Sequence, residues 1–476
     1  MHKKFTKRFF TFIVGLALAG SLAACGSADS GTTSGTASGN ASSVTTAAGT
    51  SADTEKEGTA AADPVTTASA AAAATEDGKV VTTAASATGG AIDTSDIFSD
   101  RDLTQTPDLS EATTYTVSDG QGIEITSAGV YVLTGSASNV TVTVNAGDED
   151  KVQIVLDGVS ITNDTQPAIF VKNADKVFVT TTEGSENSLT VSDSFTEMDG
   201  TNTDAVIFSK DDLVMNGLGT LNISSSKNGI TSKDDLKLTG GIINLSVADA
   251  ALEANDSIAV ADGSITVSAS NDAMHAENDD DNSKGYIYIC GGTLNLTSAD
   301  DGVHATTIVQ IDGGTLNIKA AEGIEGTWVQ INDGDIDISA SDDGINAANK
   351  SSSYSPKVEV NGGSTTIAMG QGDTDGVDSN GDIIINGGTI SVTGQSTFDY
   401  DGNGVINGGT VICNGEEVTT LPNQMMGGGM GGRGGMGGQE GFDPGSMDPP
   451  EGFDPDSKGG RGGFFPGGKG DRGEGH

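Results

Sequence analysis

Carboxylates return at fixed intervals through the middle of this 476-residue chain. Asp301, Glu322 and Asp343 stand 21 residues apart, and Asp272 and Asp375 open equivalent segments. Asp300 and Asp342 lie beside them. The fourth place of each segment carries a second series: Glu253, His275, His304, Glu325, Asn346 and Asp378. If successive segments stack as neighbouring strands, each series becomes a column with a step of about 4.8 Å. Carboxylates at that spacing repel unless a cation lies between them. Calcium suits such a column, because it accepts roughly six to eight oxygens in flexible geometry. The candidate ligands are Asp300, Asp301, Asp342, Asp343, Asp373, Asp375 and Asp378. A further set, Asp399, Asp401 and Asn403, lies in Asp399-Tyr400-Asp401-Gly402-Asn403-Gly404. That run matches the first half of a calcium loop, although Thr410 stands where the closing Glu belongs. The same aspartates can instead cap turns by accepting backbone N–H bonds.

His275 and His304 recur one segment apart, the spacing at which two imidazoles could share a transition metal. Their neighbours are acids, which favours a hydrogen-bonded polar ladder. Aromatic residues make up only 4% of the chain, so their placement is informative. Counted back from the glycine corner of each segment, Tyr286, Ile308 and Trp328 fall in one outward column. Tyr288 flanks them, and Tyr354 lies in a nearby insertion. Exposed flat rings on a straight strand face can stack on sugar rings, since Trp and Tyr offer an apolar face and a polar tip. Trp328, Tyr286 and Tyr288, with His304 and Glu325, are the candidate carbohydrate contacts. A lyase would need a base near a metal-bound uronate. Lys210, Lys233 and Lys319 are candidates by placement alone, and no Ser/His/Asp or Cys/His arrangement has usable spacing.

Short strands and glycine corners must carry these columns. The repeat reads Asp-Gly-apolar-x-Ala, a short apolar alternation, then Asn/Asp-Gly-Gly-Thr-apolar-x-apolar. The copy from Asp301 to Ile318 is the clearest. A repeat of about 21–24 residues built this way predicts an all-β solenoid, one repeat per coil. Period-two alternation sends Val309, Ile311, Leu316 and Ile318 inward. Gly313-Gly314 forms a corner where positive φ is cheap. Parallel crossovers favour right-handed winding. Insertions at 278–284 and 348–356 should leave the stack as loops on one face.

The ends differ in composition. Residues 1–25 read as an export signal, with Lys3, Lys4, Lys7 and Arg8 before an apolar run and Leu22-Ala23-Ala24-Cys25 at its end. That ending resembles a bacterial lipobox, which makes Cys25 the expected lipidation site. The chain would then sit outside the cytoplasm, held to the membrane through that lipid alone. Residues 26–95 read as an Ala/Ser/Thr/Gly tether, 96–421 as the solenoid and 422–476 as a Gly/Met/Pro-rich tail. The formal net charge is −44, which argues against nucleic acid as a partner. Cys290 and Cys413 lie five repeats apart, too far to join in one disulfide, and the solenoid is expected to be a monomer.

The runs Gly129-Val130-Tyr131-Val132-Leu133-Thr134-Gly135, Asp150 to Ile161 and Pro167 to Asp175 resemble a family of secreted bacterial carbohydrate-binding β-helix proteins. So do Glu322-Gly323-Ile324-Glu325-Gly326, Asp342 to Ala348 and Asp375 to Gly381. The resemblance spans about residues 110–412, with the motifs in the same order. It implies a right-handed parallel β-helix carrying calcium, similar in fold to calcium-dependent polysaccharide lyases, that binds cellulose or an acidic pectin-like glycan. Two alternatives stay open on the residues themselves: a calcium-dependent polysaccharide lyase, and a surface adhesin or spacer without sugar specificity.

Overall fold

The computed structural model describes residues 91–372 and 374–423. Asp373, Cys25 and the expected signal, most of the tether and the tail lie outside them. Thirty-six strands and no helix occur among the described residues. They form one 24-stranded and one 12-stranded sheet. Along the regular region each strand pairs in parallel with the strand three places later in the chain. In one repeat, Asp301–Ala305 belongs to the 12-stranded sheet, while Ile308–Ile311 and Thr315–Ala320 belong to the larger one. Each then pairs in register with its counterpart one repeat on: Val303 with Ile324, Val309 with Val329, Leu316 with Ile336. The architecture is all-β and solenoid-like, with three short strands per step. The described stack ends in an antiparallel pairing of Thr410–Cys413 with Glu416–Val418.

The alternation places Val309, Ile311 and Leu316 fully inside, with Ile318 close behind at 3% exposed. They belong to one continuous apolar core running the length of the stack. Two glycine positions make the repeat possible. Gly314 adopts φ +98° at the corner, a backbone conformation that L side chains rarely tolerate. Gly344, directly after Asp343, faces the next repeat so closely that a Cβ there would sit 2.4 Å from the Gly376 carbonyl oxygen. The Asp-Gly opening therefore pairs an acid with the residue that lets adjacent strands approach.

The sequence did not foretell an N-terminal strap. Residues 91–105 run across successive strands of the 24-stranded sheet, against the direction of the stack. Ala91 N–H donates to Gln330 Oε1 and Ile92 N–H to Gln310 Oε1, each at 2.8 Å. Ile97 and Phe98 pack with Ala259 and Tyr288, and Leu103 packs on Ala261. Asp102 is fully buried between Lys176 and Lys237, at 3.4 and 3.7 Å. Gln105 accepts from Gly217 N–H at 2.8 Å and donates to the Thr239 carbonyl at 2.9 Å.

The strap corrects the expectation of an open aromatic face. Tyr286, Ile308 and Trp328 do share a column, as the pairing of Ile287 with Val309 and of Ile308 with Trp328 requires. Tyr288, however, is only 3% exposed: Phe98 lies against its ring with centroids 6.2 Å apart, and its hydroxyl donates to Asp312 Oδ2 at 3.0 Å. Ile308 is also buried. Tyr286 is half-buried against the same cluster. Trp328 is half-buried with Lys357 Nζ 3.6 Å above its ring centroid. Phe98 of the strap lies against Tyr288 and Lys357 lies over Trp328, so ring faces that sugar stacking would use are already taken. Cys290 and Cys413 are both free thiols.

Candidate functional site

The fourth-place series forms one ladder across the 12-stranded sheet. Register pairs Glu253 with His275, His275 with His304, His304 with Glu325, Glu325 with Asn346, Asn346 with Asp378 and Asp378 with Asp399. The opening series runs alongside: Asp301 pairs with Glu322, and Asp343 with Asp375. Chemically the ladder has two halves.

In the first half each acid of the fourth-place series, and each aspartate three residues before a histidine, meets a cation from the protein. His275 and His304 stack with ring centroids 4.6 Å apart and planes 15° from parallel. His275 Nδ1 lies 2.5 Å from Asp272 Oδ2, and His304 Nδ1 2.6 Å from Asp301 Oδ2. Glu325 is 4% exposed and receives His304 Nδ1 at 3.0 Å and Lys350 Nζ at 2.9 Å. Lys233 Nζ reaches Glu253 Oε1 at 2.8 Å. Burial opposes a charged His304, yet its hydrogen bonds to Asp301 and Glu325 overcome this and push its pKa up to about 10. Burial likewise opposes a charged Glu325, but His304 and Lys350 hold it below the ordinary glutamate value. The imidazolium and ammonium groups neutralise carboxylates that burial would otherwise protonate.

The second half lacks such partners. Among the described residues no Lys, Arg or His forms an ion pair with Asp343, Asp375, Asp378 or Asp399. Burial, with the neighbouring acids, raises Glu322 and Asp343 to about 7 and Asp378 to about 6. Asp375 Oδ1, Asn346 Oδ1, Thr374 Oγ1 and Ser396 Oγ are buried without a hydrogen-bond partner. Ser396 pairs with Asp375 in register, so its hydroxyl lies on the same strand face. Unpaired oxygens at crowded carboxylates are the donor set a hard cation takes. These oxygens are of the kind that calcium takes, and the buried Thr374 and Ser396 hydroxyls beside the acids are ones that sequence reasoning missed. Both are buried hydroxyls beside an acid, a signal visible only once register is fixed.

The remaining metal candidates are more exposed. Asp300 and Asp342 project to solvent next to the ladder. Asp401 and Asn403 are exposed, and Asn403 gives both its backbone N–H and its Nδ2 to Asp382 Oδ1, at 2.7 and 3.0 Å. Asp399 alone of that turn enters the ladder.

Beside the histidine half opens a polar cleft of about 720 Å³. Glu253 and His275 lie along it, and Asp204, Asn228, Lys233 and Asp249 extend it towards the N-terminal end. The 278–284 insertion forms its wall. Lys284 pairs with Asp256, and Asn278 Nδ2 donates to Asp256 Oδ1 at 2.7 Å. The second insertion comes to meet the first: Ser351 Oγ donates to the Asn282 carbonyl at 2.6 Å, and Asn282 Nδ2 to Ser352 Oγ at 3.2 Å. Both loops leave the stack at the same corner, so coils with short connections lie beneath them.

An all-β stack that carries a polar cleft and a charged ladder along one sheet defines a class of extended binding scaffold. The family model for carbohydrate-binding domain-containing proteins matches residues 119–374 and 322–420, and the chain belongs to that family. A carbohydrate-binding domain-containing protein of Acetivibrio thermocellus is 36% identical over 124 residues, 25% of this chain and 43% of the relative. The chain thus matches less than half the length of that relative. A solved structure described as the polysaccharide lyase-like protein from C. thermocellum, a gadolinium derivative, is 26% identical and covers 46% of this chain and 92% of its own, with a TM-score of 0.39.

Proposed function

We propose that this protein binds polysaccharide outside the cell through the cleft beside the histidine half of the ladder. The observation that carries the reading is the cleft itself: about 720 Å³ and lined by polar and charged side chains on a member of a carbohydrate-binding family. A polyhydroxylated chain needs such a lining more than it needs an apolar pocket. The scaffold is read as a right-handed parallel β-helix, supported by the parallel three-strand step and by the hand that parallel crossovers favour. The lipobox-like ending at Cys25 supports a lipid anchor on the cell surface. Calcium in this reading occupies the acid half, held by Asp343, Asp375 and Asp378 with Asn346, Thr374 and Ser396. It would neutralise that end of the stack, leaving the cleft to bind sugar. The glycan is cellulose or an acidic pectin-like chain.

A glycan array with and without EGTA tests this, combined with absorbance for unsaturated uronates. Retention of a cell-wall glycan with no new unsaturation supports the binding reading, and unsaturated product supports a lyase instead. Glu253→Gln with Lys284→Ala should weaken retention at least tenfold, while Trp328→Ala leaves it unchanged. The reverse pattern would move the site to the aromatic column.

A further inference from the structure

We propose that His275 and His304 form a site for a borderline transition metal, Zn²⁺ being the type, at the edge of the polar cleft. The geometry is built in a specific way. Each imidazole is the third residue after an aspartate, and each aspartate holds its ring through Nδ1, at 2.5 Å for His275 and 2.6 Å for His304. A carboxylate on one ring nitrogen fixes the tautomer and orients the other nitrogen for a metal, the usual arrangement around histidine ligands. Asp272 and Asp301 are therefore positioning residues, and the Nε2 atoms are the ligating atoms. The rings come from successive coils and stack 4.6 Å apart, 15° from parallel. Zinc–nitrogen bonds of about 2.1 Å to one metal require the rings to turn out of their stack until the two Nε2 lone pairs converge, and His304 to release the proton that it carries as an imidazolium. A third donor already faces this edge: Glu277 Oε2 lies 3.2 Å from His275 Nε2, on an exposed and adjustable side chain. His275 and Glu277 both line the cleft, so an open coordination position would face whatever occupies it.

The donor set separates this site from the acid half of the ladder. Nitrogen donors select zinc, nickel, cobalt or copper, whereas an oxygen-only set selects calcium. The proposal stands independently of the polysaccharide reading, because it concerns metal alone.

The test is titration of ZnCl₂ into the full chain with calcium in excess, followed calorimetrically, with CoCl₂ as a spectroscopic probe. One saturable zinc site per chain is expected, together with visible cobalt bands that ZnCl₂ abolishes. His275→Ala and His304→Ala should each remove the site. Asp301→Asn, which keeps both ligands, should weaken it by about 10–100-fold. A chain carrying His2→Ala and His476→Ala must retain it. If a histidine variant fails to fold, imidazole proton resonances of the wild-type chain supply the second measurement, since the His275 and His304 signals should move together on adding ZnCl₂. Zinc binding that is absent, or equally tight without either histidine, or that leaves both ring signals in place, overturns the proposal.

Discussion

The two halves of the ladder share one fold, one register and nearly one repeat, yet they handle buried charge by opposite means. In the histidine half, His304 lies between Asp301 and Glu325, and Lys350 returns from an insertion to the same Glu325. In the acid half, Asp343, Asp375 and Asp378 crowd together, and several oxygens have no hydrogen-bond partner. A column of stacked positions thus enforces proximity without specifying what neutralises it. Protein cations serve at one end, and protonation or a metal must serve at the other.

Removing a charge should therefore have opposite effects in the two halves. His304→Ala strands Asp301 and leaves Glu325 with Lys350 alone, and should cost about 3 kcal/mol of stability, the scale for breaking a buried pair from one side. Asp378→Asn removes one of several repelling carboxylates, so in EGTA it should be neutral or stabilising. Urea melts of both variants decide this, and equal destabilisation would erase the distinction.

Calcium should act on the acid half alone. At a free concentration one hundred times its dissociation constant, it should add about 2.7 kcal/mol, read as a raised melting midpoint. Asp343→Asn with Asp375→Asn should abolish that gain, whereas His304→Ala should leave it intact.

The pH profile sharpens the contrast. Glu322 and Asp343 hold protons up to about 7 in the folded chain, against ordinary values of 4.5 and 3.8. The folded state binds those protons more tightly. Their contribution is complete at acid pH and is lost as pH rises from about 4 to 7. His304, raised from 6.5 to about 10, contributes fully below pH 6.5 and loses its contribution as pH climbs through 10. Melting midpoints in EGTA should fall across the first window and again across the second. Calcium should flatten only the first. The smallest effect expected is that of Lys350→Met, about 1 kcal/mol, because the Lys350 side chain is 37% exposed and solvent screens the pair.

Much of this was legible in the residues. The spacing of Asp301, Glu322 and Asp343 gave the coil, and the alternation around Val309 and Leu316 gave the inward columns. The series Glu253, His275, His304, Glu325, Asn346, Asp378 was correctly aligned, because parallel pairing of equal repeats fixes register. The aromatic column was also aligned correctly, but its exposure was misjudged. Ile92, Ile97, Phe98 and Leu103 lie just past a low-complexity stretch, and nothing local indicates that they cross a sheet some 160 to 240 residues away in sequence. Lys350 carried no mark of its role either. It lies in an irregular insertion 25 residues beyond Glu325, outside the repeat that made the other positions readable.

By itself the sequence determined the periodic part of this protein: strands, glycine corners, a narrow apolar core and acids stacked in columns. It could do so because a repeat that contacts only its neighbours encodes its contacts in its own spacing. Tertiary structure alone decided which acids find a cation, which rings stay open to solvent and where the two insertions meet. Those outcomes depend on segments that break the repeat, and their partners are set by how the chain returns across the stack rather than by any interval along it.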